Sequence, residues 1–189
     1  MDKGFEYYHR FLDGDEKALE ELIREYKDGL IFYLNSFTCN IHTAEELAEE
    51  TFVKLFTRKP PFGADKKGSS FKTWLYTIGR NTAFDYLRSI SRRRQVSQEE
   101  YIQLASDEDS LERSYIREEQ RITLHKAMAK LKPQYRQILW LVYFEKLSHK
   151  EAARIMKKPV GSIKTLVFRA KRELKSQLEK EGFDYNENL

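Results

Sequence analysis

Residues Leu147 to Leu174 read LSHKEAARIMKKPVGSIKTLVFRAKREL. Ser148, followed three residues later by Glu151, forms a capping box in which each side chain satisfies a backbone N–H that the first helical turn leaves orphaned. A helix therefore starts at Ser148, with Ala152, Ala153, Ile155 and Met156 as its narrow apolar face. Pro159 ends that helix and restricts Lys158. A short turn then leads into a second helix at about Val160. Short helix, tight turn, second helix is the helix-turn-helix layout.

The second helix divides into two faces. At about 100° per residue, Val167, Ala170 and Leu174 return to within about 40° of Ile163. These four form an apolar stripe that packs on the preceding helices. Thr165, Phe168, Arg169 and Arg172 lie on the opposite side, and Lys164 and Lys171 flank the stripe. An Arg bonds guanine edges bidentately, and a Phe meets a thymine methyl or the sugar wall. The lysines suit phosphates, which fix position without reading sequence. The plainer reading is a solvated basic helix, but the turn, the cap and an outward Phe168 favour a DNA reader.

Charge is distributed unevenly along the 189 residues, whose net charge is only +4. Leu147 to Lys175 carries nine bases against two acids, whereas Gln98 to Glu119 carries eight acids against two bases. A polyanion-seeking block and an acidic block in one chain suggest nucleic-acid contact at one end and a second role elsewhere. Charged residues make up 34% of the chain and hydrophobic ones 40%, which suits small cores and much solvated helix surface. No apolar run reaches membrane-spanning length, and no secretory signal opens the chain. Cys39 is the sole cysteine, so no disulfide framework forms and a cytoplasmic location is expected. His9, His42, His125 and His149 show no ligand spacing, so neither a metal nor another cofactor is expected.

The remaining pattern is helical. Leu19, Leu22, Ile23 and Tyr26 keep an i, i+3, i+4, i+7 period, as do Ala44, Leu47, Ala48, Thr51, Phe52 and Leu55. Thr43 with Glu46 reads as a capping box for the second of these helices, which Pro60, Pro61 and Gly63 end. A loop, PPFGADKKGSS, precedes a helix from about Phe71 to Ile90. Residues from about Gln95 to Ser114 are polar, acidic and weakly periodic, the pattern of a linker. Helical period returns at Leu124, Ala127, Met128 and Leu131, and Pro133 suits the first turn of the next helix. The expected fold is all-α: two small helical domains, 1–94 and 115–178, an acidic linker 95–114 and a tail 179–189.

Taken whole, LKPQYRQILWLVYFEKLSHKEAARIMKKPVGSIKTLVFRAKREL (Leu131 to Leu174) resembles region 4 of bacterial sigma factors of the extracytoplasmic-function group. The resemblance implies that the last helix enters the major groove of the −35 promoter element through Ser162, Lys164, Thr165, Phe168, Arg169 and Arg172. Two positions depart from the family pattern. Lys157 stands where Gly or Asn is usual in the turn; a left-handed backbone there costs a lysine about 1 kcal/mol. Leu166 stands where Arg or Lys is common, so it either forgoes a phosphate contact or packs on a neighbour.

A helix-turn-helix alone also fits a two-domain regulator that is not a polymerase subunit, so the first half decides. AEELAEETFVKLF (Ala44 to Phe56) resembles the sigma segment that docks on the clamp coiled coil of core RNA polymerase. The matching residues are Glu46, Glu49 and Glu50, spaced to share one face. Solvated surface acids and a nuclease-type carboxylate cluster are the other readings; the second fails because adjacent glutamates on one exposed helix do not converge on an octahedral metal.

FKTWLYTIGRNTAFDYLRSISRRR (Phe71 to Arg94) is similar to the sigma helix that opens the −10 element. Trp74, Thr77, Asn81, Asp85 and Arg88 fall on one stripe, whereas Leu75, Gly79, Thr82 and Tyr86 form a packing face. Single-stranded DNA calls for this mixture of aromatic stacking, edge hydrogen bonds and phosphate cations. For −10 recognition the resemblance implies Lys66, Lys67, Trp74, Thr77, Arg80, Asn81 and Arg88, with the loop before the helix pocketing a flipped base. A core role is the other reading of Trp74. The implied function is an alternative sigma factor, not an enzyme. The implied partners are core polymerase, through its clamp coiled coil and flap, promoter DNA and an anti-sigma factor. The acidic linker is either a tether or a segment that threads the polymerase RNA channel.

Overall fold

The computed structural model describes residues 2–59, 70–96 and 123–183, which contain helices and no strand. In order these are α1 (Lys3–Leu12), α2 (Glu16–Thr38), α3 (Ile41–Arg58), α4 (Phe71–Val96), α5 (123–129), α6 (Pro133–Leu139), a π-helical turn (Trp140–Phe144), α7 (His149–Met156) and α8 (Val160–Lys180). The Lys66–Lys67 loop, the acidic linker beyond Val96 and the last six residues of the tail lie outside the described residues.

Caps set several starts. Asp2 accepts from Gly4 N through Oδ1 and from Phe71 N through Oδ2, so one carboxylate caps both α1 and α4. Asp15 caps α2 by accepting from Lys17 N at 3.0 Å. The start of α3 corrects the sequence reading: its cap is Asn40, which accepts from Thr43 N at 2.9 Å, so the helix begins ahead of Thr43. The box at Ser148 and Glu151 is present with both arms made. α4 continues through Ser91–Arg94 to Val96, and α1 precedes the region where a helical period was evident.

α1 to α4 pack as one bundle around Tyr8, Leu22, Leu30, Leu34, Leu55 and Phe71. α6 to α8 pack around Ile138, Leu141, Ile155, Ile163 and Ala170. The two bundles then join: α7 lies on α4, and α6 with the π-helical turn lies on α2. Arg136 is the buried pin of this junction, 8% exposed. Its Nε donates to the Ser36 carbonyl at 3.1 Å, and its Nη1 donates to the Ala129 and Leu131 carbonyls at 3.0 and 2.6 Å. Ser36 belongs to the last turn of α2, where orphan carbonyls and the helix dipole favour a cation. Burial still pushes the Arg136 guanidinium below its ordinary value. Phe32 of α2 meets Trp140 at 5.3 Å, and Trp140 stacks on Phe144 at 4.3 Å.

Candidate nucleic-acid interface

α4 presents its stripe beside α3. A cavity of about 250 Å³ opens between the two, lined by Lys54, Arg58, Trp74, Ile78, Asn81, Thr82 and Asp85. Trp74 is half-buried and divides its surface. It meets Tyr8 and Phe71 edge-on at 5.3 and 5.5 Å, and it also walls the cavity. Trp74 is thus partly a core aromatic and partly a wall of the cavity. Asn81 and Asp85 are exposed.

Other expected members of this set stand apart. Thr77 donates its hydroxyl to the Thr73 carbonyl at 2.7 Å. Arg80 is half-buried, its guanidinium 4.3 Å from the Phe84 ring, and burial lowers its pKa. Arg88 is exposed and lies 3.5 Å from Asp85. Three cavity residues were not foreseen, Ile78 and the cations Lys54 and Arg58. Lys54 Nζ donates to Thr82 at 3.2 Å and pairs with Glu50 at 2.7 Å. The signal was present in the sequence as two cations four apart on α3, one helical turn beyond the acidic stretch.

Glu46, Glu49 and Glu50 are all exposed on α3, with Leu47, Thr51 and Leu55 turned into the core. Among the described residues no group of three His, Cys, Asp or Glu side chains is arranged to hold a metal ion.

α8 shows the two faces read from its sequence. Ile163, Val167 and Ala170 are buried, whereas Ser162, Lys164, Thr165, Arg169 and Arg172 are exposed and Phe168 is 65% exposed. Lys171 Nζ lies 5.6 Å from the Tyr143 ring, a cation–π contact that ties α8 to the π-helical turn. Leu166 packs against the core, which answers the question its position raised.

Lys157 does adopt the left-handed backbone, φ 53° and ψ 46°, and so closes α7 as a glycine would. Its side chain reaches across to the first bundle, where Nζ donates to Asn81 Oδ1 at 3.0 Å. Glu151 also reaches across, accepting from Ser70 Oγ at 3.0 Å and Thr73 Oγ1 at 3.3 Å. Burial alone raises the Glu151 pKa, but hydrogen bonds from Ser148, Ser70 and Thr73 outweigh it and leave the carboxyl below its ordinary 4.5.

Among the described residues no helix is long and apolar enough to cross a membrane. Residues 22–93 match the family described as Sigma-70 region 2, and residues 121–174 match Sigma-70, region 4. The chain is 31% identical over 174 residues to RNA polymerase sigma-H factor of Pseudomonas aeruginosa, covering 88% of this chain and 89% of that one. It is 31% identical to RNA polymerase sigma factor YlaC of Bacillus subtilis, covering 86% and 93%. It is 29% identical to the ECF RNA polymerase sigma factor SigW of Bacillus subtilis, covering 87% and 91%. The fold matches the sigma factor RpoE of Bartonella quintana, solved with the anti-sigma factor NepR, at TM-score 0.70 and 24% identity over 86% of this chain and 98% of that one. It also matches CnrH, solved with the cytosolic domain of CnrY, at TM-score 0.64 and 20% identity over 95% and 97%. With both sigma regions in order along one chain and full-length relatives at this identity, the protein belongs to the extracytoplasmic-function group of bacterial RNA polymerase sigma factors.

Proposed function

We propose the following division of labour for an alternative sigma factor that directs promoter-specific initiation. α8 grips the −35 duplex. Arg169, Arg172 and Phe168 reach base edges, while Ser162, Lys164 and Thr165 set register on the backbone. The Trp74–Asn81 cavity on α4 takes an unpaired base of the −10 element. Lys54 and Arg58 hold the adjoining phosphate, and Lys66, Lys67, Thr77, Arg80 and Arg88 extend the contact along the strand. Melting follows by selection: unpaired bases bind this surface and paired bases do not, so the open state is favoured. Glu46, Glu49 and Glu50 meet the clamp coiled coil, and the second half docks on the flap. The acidic residues 98–119 lie between the two grips in sequence, where a negative chain suits a channel built for RNA. A protein inhibitor of the anti-sigma kind, such as the one solved with RpoE, holds the chain inactive in a cytoplasmic setting.

The observation that supports this reading best is the cavity that joins a tryptophan, an amide and two cations on neighbouring helices. Its test is permanganate footprinting of unpaired thymines with core polymerase. Trp74→Ala combined with Asn81→Ala is expected to abolish reactivity at −10 while protection at −35 persists. Unchanged reactivity would remove α4 from the melting step.

A further inference from the structure

α1 has no part in the division of labour above, yet it touches both helices that line the strand cavity. On the α4 side, Tyr8 is fully buried, and its ring meets those of Phe71 and Trp74 at 5.6 and 5.3 Å. Asp2, just ahead of α1, accepts from the N–H of Phe71, the first residue of α4. On the α3 side, Phe11 meets Phe56 edge-on at 5.1 Å, and the Lys59 ammonium lies 5.1 Å from the same Phe11 ring. Phe56 and Lys59 flank Arg58, a cation of the cavity wall. Tyr8 and Phe11 lie three residues apart and so share one face of α1, their rings 6.3 Å from each other.

The approach of α1 is close enough to dictate a residue. A Cβ at Gly4 would collide with the Phe71 ring and the Tyr26 hydroxyl, so glycine is what lets the first turn of α1 seat against α4. Phe71 is itself fully buried and meets Trp74 edge-on at 5.5 Å. Two buried rings therefore hold the indole in the edge-to-face geometry that aromatic pairs prefer. Tyr8, Phe11 and Phe71 do not themselves line the cavity.

We propose that α1 is the brace of the strand cavity, with Tyr8 and Phe11 as positioning residues that fix the spacing of its Trp74 and Arg58 walls. The proposal rests on the assignment of this cavity to an unpaired −10 base. A base stacks on Trp74 while its phosphate meets Arg58 only when the two walls stand at one spacing. Binding groups keep such a spacing when packing around them locks their rotamers. Ordering a loosened side chain at the moment of binding costs a factor of about three to ten in affinity. Tyr8 serves the aromatic wall and Phe11 the cationic one, and neither touches a base.

The test is the rate at which permanganate-reactive thymines appear on a promoter that the wild type transcribes, with core polymerase saturated by the protein. Tyr8→Leu and Phe11→Leu each keep an apolar side chain and remove the ring. Each is expected to slow opening by about threefold to tenfold while protection at −35 is unchanged. Tyr8→Phe keeps the ring and is expected to open at the wild-type rate. In a Trp74→Ala background Tyr8→Leu is expected to add nothing, because Tyr8 acts through the indole. A wild-type rate in either leucine variant overturns the brace. So does a further slowing of the Trp74→Ala protein by Tyr8→Leu, or a parallel loss of −35 protection, since either marks a general loss of structure. If circular dichroism shows Tyr8→Leu unfolded, Phe11→Leu, at a half-buried position, decides alone. Failure of the underlying assignment shows separately, as a wild-type opening rate in Trp74→Ala, which removes the cavity from melting and the brace with it.

Discussion

Arg169 and Lys164 sit one and a half turns apart on the same exposed helix, yet their substitutions should behave differently. Arg169→Ala should lower −35 affinity by about 1–3 kcal/mol and relax preference at one base position. Lys164→Ala should weaken binding to all sequences and reduce the slope of log K against log salt by about 1. Both are read by titrating a −35 duplex at several salt concentrations. The α8 residues were legible from sequence because a 3.6-residue period fixes which side chains share a face once Ile163, Val167 and Ala170 are buried. Lys54 and Arg58 were not, because their importance arises only where α3 meets α4, and pairing between helices leaves no period in either one. The position of Arg80 over the Phe84 ring likewise leaves no period in the sequence.

At the scale of elements, caps and buried polar groups carry the local stability. Ser148→Ala removes one arm of the box that starts α7 and should cost about 1 kcal/mol in urea unfolding. Arg136→Ala leaves the Ser36, Ala129 and Leu131 carbonyls without their donor and should cost about 3 kcal/mol or more. Glu151 adds a pH dependence. Its folded pKa lies below the unfolded 4.5, so its contribution is complete above pH 4.5 and is lost as pH falls through the lower folded value. The stability difference between wild type and Glu151→Ala should therefore be constant near neutrality and shrink on acidification below pH 4.5. The existence and order of the helices from α2 onward were legible in the sequence, as were the Ser148 box and the stop at Pro159, whereas α1 was not read. The start of α3 was misplaced because Asn40 and Thr43 both offer a capping side chain, and only the chain entry from α2 decides between them. The π-helical turn at Trp140–Phe144 has no period of its own, so it was hidden within an aliphatic run.

For the molecule as a whole, two helical domains and their order could be read from the chain, but their contact could not. The junction depends on single side chains reaching between bundles, Arg136 to α2, Glu145 and Lys157 to α4, and each of these is also an ordinary surface residue type in sequence. The most direct measurement is in vitro transcription with purified core polymerase over a randomised promoter library. Expected are transcripts that require this protein and whose templates share two sequence blocks, near −35 and −10, at one fixed spacing. Contradicting results would be no promoter-specific transcript, or transcripts whose templates share a single block.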